Sequence, residues 1–401
     1  MSNSEQKVQK IKELADKYRD YTAENLSEIV KIPSYSGEEE AVIKKLKSQC
    51  EGAGCDEVRI DGLGNLIARV GKGSKKLVFD AHIDVVGVGD RSQWELDPFS
   101  GLIKGGLVHG RGSSDQKGGA ASMVTAARIL KELSYSSDYS VYFTFTVMEE
   151  DCDGMCWKYL IEEEKFVPDY FVSTEPTSCR LYRGHRGRME MNVTFKGVSC
   201  HASAPERGIN AAYRASRGAL EIEKLNERLK PDEDNFLGKG TIAVTKMSAG
   251  GPSQCAVPDT ASFYLDRRLT WGETKDSAVN EVKSAVKDFV SVEVPYYDRV
   301  SWKGTKYGQE LYFPTWKVEE NHPLVQAGVK SYSGLYGKKP VIDKWTFSTN
   351  GVAVCGRHKV PTIGFGPGDE DQAHAPNEVT RVSDLVTCSA FYAMLAFELG
   401  E

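Results

Sequence analysis

Short apolar runs in this chain repeatedly end on acids or histidine, with helical stretches between them. Leu77-Val78-Phe79 leads into Asp80-Ala81-His82-Ile83-Asp84. Val141, Phe143, Phe145 and Val147 alternate with Tyr142, Thr144 and Thr146, and that run ends at Glu149-Glu150. Tyr170-Phe171-Val172 leads to Glu175. Between the first two runs, Gly118 to Leu133 carries Met123, Ala127 and Leu130 at helical spacing. Strands alternating with helices specify a layered α/β domain, and ligands in open sheets of that kind sit beyond the carboxyl ends of the strands. Polar side chains are therefore expected to converge at one edge.

Elsewhere the pattern is less uniform. Residues 5–30 place Val8, Ile11, Leu14 and Tyr18 at helical spacing up to Pro33, and a second helix is expected from Glu38. Near Gly184 the character changes: a strand over Met189–Phe195, a helix over Asn210–Arg228, strands over Thr241–Met247 and Thr260–Leu265, and a helix over Lys275–Val290. This block reads as a compact α+β insert. A strand over Lys359–Phe365 and a closing helix over 383–399 return to the first pattern. The expected organisation is a first domain in two parts, 1–183 and 314–401, interrupted by an insert at 184–313.

A chain of 401 residues is too long for one ordinary core, which agrees with two domains. With 51 Lys+Arg against 57 Asp+Glu the net charge is −6, which argues against nucleic acid as a partner. No run approaches the roughly 20 apolar residues of a membrane span, and MSNSEQKVQKIKELADKY has no apolar leader core, so neither membrane nor secretion is expected. Nine irregularly spaced cysteines read as the reduced thiols of a cytoplasmic protein.

The residues at the strand ends and in the loops beside them are His82, Asp84, Asp115, Glu149, Glu150, Glu175 and His374. Imidazole nitrogens and carboxylate oxygens without thiolates suit catalytic zinc, cobalt or manganese. His82 and Asp84 share one face of a strand, so the acid can orient the ring. Asp115 lies in the glycine-rich turn Gly110–Gly119, just before a helix. Of the adjacent acids Glu149 and Glu150, one can bind metal while the other acts as a base. Taken singly, each of these is an ordinary structural feature.

Together they resemble one family over about residues 20–395. The matching segments are Asp80–Asp84, Gly110–Gly119, Glu149-Glu150, Thr174-Glu175-Pro176, Gly364–Gly368 and Ala373-His374 with Asn377-Glu378. The family is that of the dizinc amidohydrolases and exopeptidases: carboxypeptidase G, acetylornithine deacetylase, succinyl-diaminopimelate desuccinylase and aminoacylase. Gly197–Gly208, Asp266–Thr270 and Lys344–Asn350 resemble its YgeY-type branch, which is linked to selenium metabolism and ureido-compound breakdown. The resemblance implies a zinc-exopeptidase-like mixed sheet flanked by helices, with a ferredoxin-like lid and dimerisation domain inserted.

The resemblance also implies roles. His82, Asp115 and Glu175 would hold one metal ion; Asp115, Glu150 and His374 would hold the other. Asp84 would orient His82, and Glu149 would be the general base assisting a metal-bound hydroxide. His201 would reach the partner subunit's active site in a homodimer formed through the insert. Arg268 and Asn210 would contact substrate, Arg268 through a carboxylate. Cys255 stands where many relatives have Asn, which separates this chain from the familiar substrate classes. The implied reaction is metal-dependent hydrolysis of an amide-type bond in a small N-acyl, N-carbamoyl or dipeptide-like acid. A true dipeptidase or aminopeptidase, and a non-catalytic binding relative, are the alternatives.

Other signals are weaker. Cys152 and Cys156 read as packed or surface thiols, and His109, His185, His322 and His358 as structural. Arg183, Arg186 and Arg188 border the cleft and read as a solvated basic face at the domain junction rather than an anion site.

Overall fold

The computed structural model describes residues 3–231 and 233–400. Its main sheet runs, in spatial order, Glu57–Ile60, Leu66–Val70, Tyr139–Thr146, Lys75–His82, Tyr170–Ser173, Thr362–Gly364, Leu181–His185 and Trp316–Lys317, and Ile342–Trp345 also pairs with Leu181–His185. Lys75–His82 lies parallel to both Tyr139–Thr146 and Tyr170–Ser173, and Thr362–Gly364 is parallel to Tyr170–Ser173. The carboxyl ends of these four central strands therefore open onto the same edge.

Parallel strands are covered on both faces, so their residues are buried on both, and the polar ones among them, Asp80, Thr144 and Thr146, are buried and hydrogen-bonded to one another. Phe79 meets Tyr392 of the helix Val382–Gly400, with ring centroids 5.0 Å apart. Phe171 is in register with Val78 and so points to the other face, where it meets Trp157 of the helix Met155–Glu162 at 4.9 Å. Val382–Gly400 is long and apolar enough to cross a membrane. In this fold it is a core helix, packed against Gly118–Glu132, Pro323–Tyr336 and the N-terminal helices.

A second sheet has the order Thr241–Gly250, Thr260–Leu269, Gly187–Lys196, Phe289–Glu293, with every neighbouring pair antiparallel. The helices Ala211–Arg228 and Lys275–Ala285 complete a ferredoxin-like arrangement. Met189, Met191, Val193 and Phe195 alternate into a separate apolar core with Ile222, Phe263 and Val282. The opposite face of this sheet carries Arg188, Glu190, Asp266 and Arg268, each of them half-buried. The chain enters and leaves this unit side by side. Tyr312–Phe313 pairs with Met189 and Arg188, Trp316–Lys317 pairs with His185 and Gly184, and Gly187 N donates to Thr315 Oγ1 at 2.9 Å.

Two elements differ from expectation. The N-terminal helical stretch is two helices, Asn3–Lys17 and Arg19–Val30, meeting at Tyr18. The helix expected to reach Val290 stops at Ala285. Val286 is already extended, Asp288 turns the chain at φ 59°, and the β-branched run that follows is the fourth strand of the second sheet.

Where the first domain's helix begins, Gly119 lies against the strand end before Glu175. A Cβ there would sit 2.8 Å from the Cβ and carbonyl oxygen of Thr174. Gly119→Ala should cost about 1–3 kcal/mol by overpacking, read from chemical denaturation.

Candidate metal centre

At the open edge, His82 and Asp84 come from one strand end and Glu149 and Glu150 follow the next. Glu175 follows the third, and His374 lies in the loop after Thr362–Gly364. Asp115 is brought in by the glycine-rich turn. Two trios have ligand atoms within 4.8 Å of one another: His82, Asp115 and Glu175, and Asp115, Glu150 and His374. Asp115 belongs to both. Its Oδ1 is 3.0 Å from His82 Nε2, and its Oδ2 is 3.6 Å from His374 Nε2. His82 Nε2 is also 3.7 Å from Glu175 and 3.9 Å from Glu149, while His374 Nε2 is 2.9 Å from Glu150.

The surrounding groups fix these positions. Asp84 accepts from Ser36 Oγ at 2.7 Å, from Glu149 N at 3.1 Å and from Glu150 N at 3.0 Å. Its carboxylate is 3.5 Å from His82 Nδ1, and its main-chain oxygen is closer, at 3.0 Å. With Nδ1–H donating there, the Nε2 lone pair faces the acids, the orientation a ligand needs. Glu39 accepts Met148 N at 3.0 Å, so three successive amides, 148 to 150, end on carboxylates. Glu378 accepts from Gly112 N, Ser114 N and Asp115 N at 2.7–3.0 Å and from Arg111 Nη1 at 2.7 Å. Arg111 in turn donates to the main-chain oxygen of His374 at 3.3 Å. Glu39 and Glu378 had no role in the sequence reading. Glu378 lay inside a matched segment; Glu39 had no local signal.

The cluster is electrostatically incomplete as protein alone. Burial, with the nearby Asp153, Glu175 and Glu150, pushes the Glu149 carboxyl well up; burial and Asp115 push Glu150 up to about 7; burial and Asp115 push Glu175 well up. Burial opposes charge on His82, but Glu175 and Glu149 beside it win and raise its pKa. Glu149 Oε1 and Glu175 Oε2 are buried without a hydrogen-bond partner among the described residues. Unpaired buried carboxylate oxygens are costly, and cations among them resolve both problems. Hard nitrogen and oxygen donors, acids in excess and orphaned oxygens all fit divalent metal ions.

The cluster forms one side of a cavity of about 320 Å³, whose lining also includes Asp153, Arg188, Arg268, Phe347 and Ser348. Arg268 is there, held by Asp266 through two contacts of 2.8 and 3.0 Å. Asn210 and His201 are not part of the lining contributed by this chain. Asn210 caps the helix Ala211–Arg228, accepting from Tyr213 N at 3.2 Å, and the exposed His201 ring meets Ser203 Oγ at 2.7 Å. The basic cluster is not a solvated face. Arg183 is buried with its guanidinium over Phe236, Arg186 donates to Lys239 O, and Arg188 lines the cavity. Cys152 and Cys156 are packed. His185 is buried between Trp316 and Thr349, and His322 caps the helix Pro323–Tyr336.

A family model described as Peptidase family M20/M25/M40 matches residues 78–398. The chain is 50% identical over 388 residues to the uncharacterized protein YgeY of Escherichia coli (strain K12), covering 95% of this chain and 96% of that protein. It is 27% identical over 351 residues to the succinyl-diaminopimelate desuccinylase of Magnetococcus marinus, covering 84% and 87%. Among solved structures, the Bacillus subtilis YXEP protein, a dinuclear metal binding peptidase of the M20 family, superposes with a TM-score of 0.70 at 15% identity, covering 96% of this chain and 99% of that one.

Removing Glu378 should leave Arg111 buried and unpaired. Glu378→Ala is expected to lower stability by about 3–5 kcal/mol. It should also weaken zinc retention, because the turn bearing Asp115 loses its anchor; equilibrium dialysis against zinc checks the second effect.

Proposed function

The chain belongs to peptidase family M20/M25/M40, and we propose that it hydrolyses an amide-type bond in a small N-acyl, N-carbamoyl or dipeptide-like substrate bearing a carboxylate. At the coarser level it is a metal-dependent hydrolase of peptide or acyl amide bonds. The observation that carries the finer reading is the pair of ligand trios sharing Asp115, with the orphaned oxygen of Glu149 beside them.

His82, Asp115 and Glu175 would hold one divalent ion and Asp115, Glu150 and His374 a second. Zinc is the first choice, with cobalt or manganese as alternatives. Bound there, the ions would acidify a water and polarise the scissile carbonyl. Asp84 keeps the His82 ring aligned and holds the Glu149-Glu150 main chain through its two amides. Glu149 takes the proton of the attacking water and delivers it to the leaving nitrogen. Arg268 faces the same cavity and receives the substrate's carboxylate. Asn210 contacts substrate, and His201 acts on the cavity of the partner subunit, donating toward the developing oxyanion.

A homodimer through the insert accompanies this reading. Tyr213 and Leu220 on the helix Ala211–Arg228 are 66% and 57% exposed, and Met247 on the edge strand Thr241–Gly250 is 47% exposed. An apolar face beside an unpaired strand edge suits a two-fold interface. We take the domain boundaries as 1–183, 184–313 and 314–401, supported by the change of sheet between Leu181–His185 and Gly187–Lys196. Residues around Trp302, which donates to Gly64 O, pack back on the first domain. The nine unpaired thiols support a cytoplasmic setting.

Two experiments test the assignment. Glu149→Ala should keep its metal and lose about 10²–10⁴ in kcat on N-acyl and N-carbamoyl amino acids, whereas Glu150→Ala should lose metal by mass spectrometry. Equal metal loss in both would end the division of labour. For the dimer, His201→Ala and Glu149→Ala proteins, each inactive, should regain partial activity when reassembled together. Demonstrated heterodimers without activity would place His201 outside the partner's site.

A further inference from the structure

The half-buried face of the second sheet pairs like with like. In the register of Gly187–Lys196 against Thr260–Leu269, Arg188 is directly opposite Arg268, and Glu190 is directly opposite Asp266. Like charges opposite one another across an antiparallel pair are destabilising, and exchanging one acid for one arginine would remove the conflict. The chain keeps the conflict and orients it. Both arginines line the cavity, and the two acids lie one pleat behind them.

The two guanidinium groups are held differently. Arg268 is engaged by Asp266 through Nε and Nη2, at 2.8 and 3.0 Å. Arg188 makes its polar contacts through Nη2 alone, 3.1 Å from Asp153 and 3.8 Å from Glu190. Its planar group lies over the Phe313 ring, 4.6 Å from the centroid, and its side chain is 20% exposed. Its Nε is buried without a hydrogen-bond partner among the described residues. The second oxygen of Asp153 accepts from the Ser348 hydroxyl. Arg188 is thus held through Nη2 and the ring contact, and its Nη1 has no partner among the described residues.

We propose that Arg188 is a specificity-determining residue, forming with Arg268 a two-guanidinium receptor for the carboxylate of the substrate. This rests on the carboxylate-bearing substrate proposed above and adds the residue that selects it. A carboxylate is planar and has one oxygen for each guanidinium. Asp153, Glu190 and Asp266 already touch the pair, three carboxylates against two guanidiniums, so the receptor offers directed N–H donors with no surplus positive charge, and a phosphate dianion is disfavoured more than a carboxylate monoanion. Guanidinium donors on the same cavity as the acid cluster also fix which end of the substrate meets the metal-binding side.

Binding, not turnover, tests this. Zinc-loaded Glu149→Gln protein, which holds ligand without consuming it, is titrated calorimetrically with N-acetyl-L-alanine, with N-acetyl-L-alaninamide and with inorganic phosphate. The carboxylate should bind more tightly than the amide and phosphate. Adding Arg188→Gln should weaken carboxylate binding by about ten- to a hundredfold, the worth of a charged hydrogen bond, and leave the amide within about threefold. Arg188→Lys should recover part of the loss, since the charge returns without the fork. Equal weakening of acid and amide, no preference for the acid before mutation, no binding, or phosphate binding as tightly as the acid would each overturn the proposal. Cleavage is scored separately with Glu149 intact. Carboxylate selection through Arg188 without cleavage would sink only the hydrolase reading, and cleavage indifferent to Arg188 would sink only this one.

Discussion

Carboxylates crowded into one buried pocket repel one another, and the catalytic edge of this protein is organised around tolerating that repulsion. The acids that face the cavity are positioned by acids that do not. Asp84 spans the main chain of Glu149 and Glu150, Glu39 holds the residue before them, and Glu378 gathers the turn that presents Asp115. Each outer carboxylate spends its charge on N–H groups, so it does not compete for the ions the inner ones are suited to bind. Beneath the same turn, Lys117 is fully buried, pushed down to about 7, and donates to the main-chain oxygens of Ile29 and Ile32. The turn is tied at both ends, and the helix Arg19–Val30 is capped by the same contact.

The inner residues were legible because local rules place them. A buried strand takes a polar group only where a partner satisfies it, as Thr144 and Asn350 do for Asp80, so an acid or histidine where the apolar run stops is a candidate for work at the edge. The outer residues were not legible, because their meaning lies in partners far along the chain. Glu378 meets Arg111 across 267 positions, and Glu39 meets Met148 across 109. Arg188 was misread for a related reason. Basic residues are surface residues by default, and what buries this one is the ring of Phe313 on the returning strand together with Asp153 from the first domain. The start of the strand Phe289–Glu293 was absorbed into a helix because local spacing allowed it, and only pairing with Gly187–Lys196 decides otherwise.

The two faces of the cavity come from different sheets. The acid and histidine cluster stands at the ends of the parallel strands of the main sheet and in the loops beside them, over a continuous core. The arginines stand on a sheet with its own core. Each surface can be built to its own tolerance, and the cavity exists only where the two face each other.

The side-by-side passage of the chain between the two units also bears on how the protein assembles. Trp316 donates to His185 Nε2 at 2.7 Å across 131 positions, a contact that in an unfolded chain would have to close a very long loop. Once the second sheet has formed, Gly187 and Thr315 are already a hydrogen bond apart, and the loop left to close is a few residues. The edge of the main sheet at Leu181–His185 and Trp316–Lys317 is therefore completed cheaply only after its neighbour has folded. The second sheet thus serves as the splint on which the far edge of the main sheet is joined.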